Sequence, residues 1–301
     1  MLTFFTTPKP FRGHIDTIQR NAIRSWTLIH PETEVILFGD DDGAAQAARE
    51  LGIRHEPYVE RNQFGTKYLG PIYDRAQEIA RNEIICYVNC DIILMSDFRN
   101  ALERLCQWRQ QFLMIGQRWD LNITEQIDFG DGDWERGLRT RALREGKQRP
   151  PEWIDYFVFW RGAYYRKIPP FVIGRPAWDT WLVWYARAAK MCVVDTSKMV
   201  VAVHQNHDYS YHPEGEAGVW TGEEARRNRE LLGGWMHIGT ADDATHRLSR
   251  DGIGRSYRHW LMMVKRASVA SLRAFLERTM PLRSALGLKR ERVSSLFPRK
   301  R

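Results

Sequence analysis

A carboxylate in the middle of an apolar run is the feature that most constrains this chain. Residues 84–88 (Ile-Ile-Cys-Tyr-Val) and 92–95 (Ile-Ile-Leu-Met) are apolar, and Asn89-Cys90-Asp91 separates them. So apolar a run is typical of a central strand buried on both faces. An ionised carboxylate buried there needs a partner. A metal ion carrying a phosphorylated ligand is one such partner, and a turn capped by Asp91 is the alternative.

Strands and helices alternate along the first part of the chain. Apolar runs predict strands over residues 2–7, 34–38, 53–58 and 84–91, and helical spacing predicts helices over 15–29, 44–51 and 72–80. Such an alternation forms a parallel sheet with right-handed crossovers. The sequence therefore predicts a Rossmann-type half, in which ligands bind at the carboxyl ends of the strands.

Further elements follow as far as residue 204. Helices are predicted over 97–108 and 178–189, and strands over 112–117, 153–159, 192–195 and 200–204. Residues 128–151 are rich in Gly, Arg and acidic side chains with little periodicity, which indicates a mobile loop over the site. The expected fold class is an α/β sandwich with a mostly parallel central sheet.

Composition separates a folded body from a basic tail. The chain has 301 residues, 43% of them hydrophobic, and a formal net charge of +8. Residues 255–301 carry thirteen Lys and Arg against two acidic residues, a balance of +11, which leaves −3 for residues 1–254. We therefore expect a globular domain over 1–254 and a basic helical tail over 255–301.

Several sequence signals are absent, and their absence excludes or disfavours some classes of protein. No apolar run reaches the roughly 18 residues that span a bilayer, and the N-terminus lacks the features of a signal peptide, so we expect a cytoplasmic protein. No G-x-G-x-x-G follows the first strand, which weakens a dinucleotide-dependent dehydrogenase, and the lack of a P-loop removes a P-loop kinase. The four cysteines form no C-x-x-C pair and are expected to be free thiols.

Polar side chains follow the first two predicted strands. Thr6-Thr7-Pro8 comes after the first strand and Asp40-Asp41-Asp42 after the second. Both groups lie at the carboxyl edge of the sheet, where short polar side chains suit a base and ribose. Ordinary turns explain the same residues, because Asp is common in turns.

A second polar cluster follows the predicted strand over 200–204. Residues 203–209 (Val-His-Gln-Asn-His-Asp-Tyr) include His204 and His207 with an acid and two amides. This density of polar groups favours contact with a metal ion or a phosphate over ordinary packing. Because His-x-x-His at a strand end does not place both rings on one face, we expect at most one direct metal ligand between them.

Two further carboxylates are candidates for acid–base chemistry. Asp179 lies at the start of the predicted helix over 178–189, where it either takes the proton of an incoming hydroxyl or caps the helix. Asp155 precedes the apolar run 156–159 and is a candidate for holding that hydroxyl.

Together these residues resemble the GT-A class of nucleotide-sugar glycosyltransferases over residues 2–248. Segments 21–26, 87–94, 155–159 and 204–209 are similar, more narrowly, to a glycosyltransferase-like family of bacteria and plants. In the GT-A class a D-x-D motif binds Mn²⁺ or Mg²⁺ through the donor diphosphate. Here Asn89 replaces the first Asp, and Asp91 matches the second, metal-binding one. Asp179 matches the catalytic Asp of inverting enzymes, and His204 or His207 the late metal-binding His.

The resemblance implies a metal-dependent transfer of a sugar from a nucleotide diphosphate sugar to a hydroxyl acceptor, a glycan or a lipid-linked glycan. The donor would contact Thr6, Thr7, Pro8, Asp40, Asp41 and Asn89. One alternative is a sugar-nucleotide nucleotidyltransferase, which needs a Gly-rich phosphate loop after the first strand, where only the late Gly13 occurs. Another is a non-catalytic protein that binds carbohydrate or nucleic acid.

The basic tail has the pattern of an amphipathic helix. Among its Lys and Arg residues, apolar residues recur at helical spacing: Trp260, Leu261, Val264, Ala267, Leu272, Phe275 and Leu276. We expect this tail to bind an anionic membrane surface, on the inner face of the membrane. The alternative is that its apolar face packs on the globular domain. Nucleic acid is disfavoured, because no known nucleic-acid motif accompanies the charge.

Overall fold

The protein structure is a computed structural model that describes residues 1–109, 111–208, 214–269 and 271. It divides into two compact units, Met1–His259 and Trp260–Arg301. The α-helices of the described part of the first unit are α1 (Gly13–Thr27), α2 (Ala44–Leu51), α3 (Leu69–Ile79), α4 (Ser96–Trp108), α5 (Trp134–Glu145), α6 (Trp178–Ala188), α7 (Gly215–Thr221) and α8 (Glu223–Leu231). Its strands are β1 (Leu2–Thr6), β2 (Glu34–Phe38), β3 (Arg54–Glu56), β4 (Ile84–Val88), β5 (Ile92–Ile93), β6 (Phe112–Ile115), β7 (Arg118–Leu121), β8 (Lys147–Gln148), β9 (Tyr156–Trp160), β10 (Cys192–Asp195), β11 (Ala202–Gln205), β12 (His246–Ser249) and β13 (Gly252–Arg255).

The main sheet of the described chain has the strand order β3-β2-β1-β4-β9-β6-β10-β12-β13. Five of its eight pairings are parallel, including the three that join β3, β2, β1 and β4. The order β3-β2-β1-β4 is that of the first half of a doubly wound fold, in which the chain reverses its direction of winding between β1 and β4. The predicted α/β class with a mostly parallel central sheet is confirmed.

Helices cover both faces of this sheet. Successive strand side chains point to opposite faces, so Phe4 of β1 packs on Trp26 of α1 (5.7 Å between ring centroids), while Phe5 packs on Tyr73 of α3 (4.9 Å). All four aromatic side chains are fully buried. Truncating either phenylalanine to Ala is expected to cost about 3–5 kcal/mol of stability. The apolar core therefore fills both faces, and polar side chains collect at the ends of the strands.

A second sheet, β5-β11-β7-β8, starts just after the end of β4. Strand β11 is parallel to β7 and antiparallel to β5. Their register places His204 of β11 opposite Ile92 on one side and Asp120 on the other. This small sheet therefore brings the late histidine beside Asp91.

The expectation of a mobile loop over residues 128–151 is wrong, because this segment contains α5 and β8. Helix α5 buries Leu138 and Ala142 against the second sheet. The Ser96 N–H donates to Glu135 of this helix (3.1 Å). The sequence did not predict this helix because only two of its residues, Leu138 and Ala142, are buried, and most of the others are polar or charged. Two apolar positions are too few to give a clear helical period.

The first unit continues beyond the expected boundary at residue 254. Strand β13 pairs with β12 through Arg255, and the Ser256 N–H donates to Thr245 O (2.8 Å). In the second unit, residues 260–269 are helical. The predicted positions Leu272, Phe275 and Leu276 lie outside the described residues. None of the described helices combines the length and apolar character that crossing a membrane requires.

Candidate active site

The candidate site lies where the strand order reverses, at the carboxyl ends of β1 and β4. Residues 7–9 follow β1, and residues 89–91 follow β4. Loops on the two sides of such a reversal diverge and leave a crevice, in which doubly wound folds bind their ligands.

Helix α1 holds the backbone that carries Asp91. The indole N–H of Trp26 donates to Ile92 O at 2.8 Å. Five residues earlier, the buried Asn21 donates to Gln205 Oε1 (3.0 Å), and the Gln205 N–H donates to Asp91 O (3.1 Å). Residues 21–26, one of the segments that resemble the glycosyltransferase-like family, therefore hold the backbone around Asp91 in place.

Asp91 meets two histidines. Its Oδ2 lies 3.2 Å from His207 Nε2 and 3.9 Å from His204 Nε2. One ligand atom from each of the three residues lies within 4.8 Å of the others. Within the described part of the chain, Asp91 Oδ1 is buried and accepts no hydrogen bond. A buried polar atom left unsatisfied costs about 1–3 kcal/mol, which a bound cation would remove. The cluster therefore fits a divalent metal ion.

Both imidazoles are oriented for this role. His204 Nδ1 lies 3.2 Å from Asp120 Oδ1, and His207 Nδ1 donates to Asp208 O at 2.7 Å. These contacts leave each Nε2 facing Asp91, as in most metal-ligating histidines. The sequence favoured at most one direct metal ligand between the two histidines, whereas both Nε2 atoms approach Asp91 here, because His207 follows the end of β11 rather than lying on the strand.

The surrounding charges keep Asp91 ionised. Burial by itself would raise the pKa of Asp91. The charges of His204 and Lys9 outweigh burial and hold this pKa well below its usual value. A metal ion binds the ionised form of a carboxyl group, so Asp91 is ready to bind one at physiological pH.

Asn89 is held by Asp155. Its side-chain amide donates to Asp155 Oδ1, and its backbone N–H donates to Asp155 O at 2.9 Å. Arg118 donates to the other carboxylate oxygen of Asp155 at 3.0 Å. Asp155 is buried, with 7% of its surface exposed. Because both its oxygens accept hydrogen bonds from the protein, this carboxylate orders Asn89 and Arg118.

Arg118 joins the two halves of the site. Its Nε donates to Asp120 Oδ1 at 2.8 Å, so one guanidinium connects the carboxylate behind His204 with Asp155. The same guanidinium lies 4.5 Å from the centre of the Trp153 ring, a cation–π contact that restrains it. Sequence reasoning missed Arg118 and Asp120. Polar residues at i and i+2 of a strand share one face, and that signal could have found them.

Asp179 lies in the first turn of α6, over the sheet end that carries the site. Its neighbour Trp178 packs on Tyr87 of β4 and on Phe157 of β9, with ring centroids 5.4 and 5.8 Å apart. The N-cap of the helix is Ala177, with φ of 92°. A left-handed backbone at a residue other than Gly is strained, and such strain clusters at functional sites. Ala177 has no side chain that could cap the helix, and the Asp179 carboxylate accepts a hydrogen bond from the Thr180 N–H of the first turn, so the capping role considered for Asp179 stays an alternative to the catalytic one.

The carboxyl group of Asp179 is poised for proton transfer. Burial raises its pKa to about 7, against the opposing hydrogen bond from the Thr180 N–H at 2.8 Å, and the negative charge of Asp155 adds to the increase. A general base works best when its pKa lies near the working pH. Asp179 therefore has the ionisation behaviour that the sequence-based role requires.

Lys67 gathers the residues expected to hold the nucleotide. Its Nζ donates to Pro8 O at 2.8 Å and pairs with Asp41, so the loops after β1 and β2 meet at this ammonium group. The side chain of Thr7 shares a hydrogen bond with the Tyr87 hydroxyl group. Lys67 lies in a loop without periodicity, and no pattern in the sequence indicated it.

Two of the expected nucleotide contacts are placed differently. Thr6 is fully buried within β1, so its hydroxyl group belongs to the core rather than to the surface of the crevice. The Asp40 side chain is 67% exposed and pairs with Arg61. Thr7, Pro8 and Asp41 thus remain the better placed of the predicted nucleotide contacts.

An open cleft adjoins the metal cluster. Its volume is about 510 Å³, within the range of small-molecule sites. The residues that line it are Arg12, His14, Ile15, Asn206, His207 and Asp208. Because His207 belongs to both, a ligand in this cleft would touch the cluster.

No family model matches the chain, and no curated protein matches it. Among solved structures, S. aureus TarS has a TM-score of 0.45 and 11% identity, covering 68% of this chain and 36% of TarS. Glucosyl-3-phosphoglycerate synthase of M. tuberculosis has a TM-score of 0.46 and 14% identity, covering 77% of this chain and 79% of the synthase. A mannosyltransferase from Pyrobaculum calidifontis, solved with GDP-Man and Mn²⁺, has a TM-score of 0.44 and 13% identity, covering 70% of this chain and 58% of its own. The chain therefore spans about a third of TarS, and likenesses at this level do not assign an activity.

Proposed function

We propose that this protein is a glycosyltransferase, which moves a sugar from a nucleotide diphosphate sugar to a hydroxyl acceptor with the help of a divalent metal ion. The observation that carries this proposal is the cluster of Asp91, His204 and His207 around a buried carboxylate oxygen that accepts no hydrogen bond from the described residues. The cluster lies at the reversal of strand order, where a nucleotide would bind.

The metal ion would be held by Asp91 Oδ1 or Oδ2 and by the Nε2 atoms of His204 and His207. Two imidazoles with one carboxylate favour Mn²⁺ over Mg²⁺, because Mg²⁺ prefers oxygen ligands. Bound there, the ion would neutralise the charge that grows on the leaving diphosphate. Asp120 would orient the imidazole of His204 through its contact with Nδ1, and Arg118 would hold the carboxylate of Asp120.

The nucleotide would lie across the ends of β1 and β2. Thr7, Pro8 and Asp41 are the residues we assign to this contact, with Lys67 as the cation that holds them together. Asn89 would meet the donor through its amide oxygen, because its amide nitrogen is bound to Asp155.

The transfer step needs a base for the acceptor. We assign this role to Asp179, whose carboxylate would take the proton of the acceptor hydroxyl group as its oxygen attacks the anomeric carbon. The bond from that carbon to the diphosphate breaks, and its electron pair leaves with the diphosphate. A single displacement of this kind inverts the configuration at the anomeric carbon.

Calorimetric titration with UDP, GDP, ADP and CDP, each with and without Mn²⁺, tests the proposal. We expect one of the four nucleotides to bind, and to bind more tightly when Mn²⁺ is present. The Asp91→Ala variant should lose the Mn²⁺ effect, whereas Asp251→Ala, in an exposed turn, should keep it. If no nucleotide diphosphate binds with or without the metal ion, the proposed function is wrong.

We also propose that the second unit binds an anionic membrane surface, where a lipid-linked acceptor would be found. The helical residues 260–269 expose Trp260, Leu261 and Val264, which are 62%, 59% and 45% accessible, and the exposed Lys265 follows them directly. Apolar and aromatic side chains beside basic ones are typical of helices that lie in the membrane interface. Each basic residue close to such a surface adds about 1 kcal/mol.

A further inference from the structure

The ammonium group of Lys9 lies beside Asp91 and His207, two of the three candidate metal ligands. Its Nζ lies 2.9 Å from His207 Nε2 and 3.7 Å from Asp91 Oδ2. The amide of Gln19, which is 2% exposed, holds the Lys9 backbone from both sides, accepting from its N–H at 2.6 Å and donating to its O at 2.9 Å. The position of this lysine is therefore built into the fold.

The ammonium group uses the same lone pair that a metal ion would use. Since a carbonyl oxygen only accepts, the contact with Asp208 O places the proton of neutral His207 on Nδ1. The lone pair then lies on Nε2, where Lys9 donates to it. A divalent ion bound to His207 Nε2 and to Asp91 would meet a second positive charge within about 3–4 Å, so the two cations exclude each other.

We propose that Lys9 acts as an exchangeable cation: it occupies the Asp91–His207 position in the free protein, and the diphosphate of the donor draws it away. Once its ammonium group pairs with phosphate oxygens, the two ligands are open to the divalent ion. Lysine suits such an exchange, because its ammonium group is a point charge on a flexible chain of four carbons. The inference deepens the proposed function and rests on it.

The consequence is a mutual dependence of metal and donor. If the diphosphate strengthens metal binding by removing Lys9, the metal must strengthen nucleotide binding by the same factor. The free protein would bind the metal ion poorly, and the complete set of charges would assemble only with the donor in place.

Calorimetric titration of Mn²⁺ alone, and then of Mn²⁺ at saturating UDP, GDP, ADP or CDP, tests this exchange. Without nucleotide, Lys9→Met and Lys9→Gln should bind Mn²⁺ about 10- to 100-fold more tightly than the wild type. Lys9→Arg, which keeps the charge, should bind it as weakly as the wild type. In the wild type we expect the bound nucleotide to tighten Mn²⁺ binding about 10- to 100-fold, and in Lys9→Met this gain should shrink to a few-fold. The exposed Lys167→Met serves as the matched control and should behave as the wild type.

The outcomes separate this inference from the proposed function. Equal Mn²⁺ affinity of the wild type, Lys9→Met and Lys9→Gln would overturn the exchange, while Mn²⁺-dependent nucleotide binding would leave the proposed function standing. If no variant binds Mn²⁺ with or without a nucleotide, the metal site and the exchange are both wrong. Far-ultraviolet circular dichroism of each variant shows that a changed affinity reflects the site and not a lost fold.

Discussion

Replacing Asp179 with asparagine is expected to remove most of the turnover and, at alkaline pH, to stabilise the fold. Both effects have one cause: burial of the Asp179 carboxyl group disfavours its ionised form. An amide of the same shape carries no charge. Asp179→Asn therefore removes the proposed base together with the cost of keeping it ionised.

The size of the stability effect follows from the pKa of Asp179. Folding raises it from 3.8 to about 7, and at about 1.4 kcal/mol per pKa unit the limit is about 4 kcal/mol. Asp179 is only partly buried, so solvent reduces the expected gain at pH 8 to about 1–3 kcal/mol. Because the raised pKa favours the neutral folded form, the stability of the wild type falls as the pH rises from about 4 to about 7.

Urea unfolding of both proteins at pH 5 and pH 8 measures this effect. At pH 5 about a third of the cost is present, so the gain in the free energy of unfolding should be about three times larger at pH 8. Asp40→Asn is a control of opposite sign, because the hydrogen bond from Arg61 lowers the pKa of Asp40. An Asp179→Asn variant that is less stable than the wild type at pH 8, or equally stabilised at both pH values, would refute the reasoning.

Turnover tests the other half of the prediction. Loss of a general base should lower the turnover number by about 100- to 10,000-fold while the affinity for the donor stays nearly unchanged. The turnover of the wild type should rise with pH through about 7, where Asp179 loses its proton. Equal losses of donor affinity and turnover would show that Asp179 supports the fold of the site and takes no proton.

Three further predictions concern the metal site and the second unit. Asp91→Ala should lower the affinity for Mn²⁺ at least about 100-fold in a calorimetric titration at saturating nucleotide, and an unchanged affinity would contradict the assigned ligand. Asn89→Asp should lower the free energy of unfolding, measured in urea, by about 1–3 kcal/mol, because it sets a second carboxylate against Asp155 and loses a hydrogen bond; an unchanged stability would contradict the importance of this contact. The full chain should co-sediment with anionic but not with neutral vesicles, less so at high salt, and Trp260→Ala should reduce the bound fraction; a protein that stays in the supernatant at low salt would refute the membrane proposal.

The β3-β2-β1-β4 half of the main sheet was predictable because its signals are local, whereas β12 and β13 were not predicted. The hydrophobic periodicity of each segment from β1 to β4 predicts a strand or a helix, and the alternation of these elements predicts a parallel sheet. Asp91 stood out for a similar reason, since a charge inside an apolar run conflicts with its neighbours in the sequence. Helix α5 gave too weak a signal, because it buries little more than Leu138 and Ala142.

The rest of the site depends on contacts between distant parts of the chain. Lys9 and His207 are 198 residues apart in the sequence and 2.9 Å apart in the structure. Lys67 likewise reaches Pro8 from a loop without periodicity. No local pattern could reveal such partners, because a lysine in a loop usually points into solvent. The histidines were visible as a polar cluster, but the course of the chain after β11, which brings both rings to Asp91, was not.

The departure from D-x-D at Asn89 has a physical reason in the surrounding charges. Asp91, Asp155 and Asp120 already bring three carboxylates to this small region, and Arg118 pairs with two of them. An amide at position 89 donates to Asp155, which a fourth carboxylate cannot do. This hydrogen bond orders the Asn89 side chain, and in the proposed function His204 and His207 would complete the set of metal ligands. In the proposed function, this set of one carboxylate and two imidazoles explains why a motif with a single Asp is sufficient here.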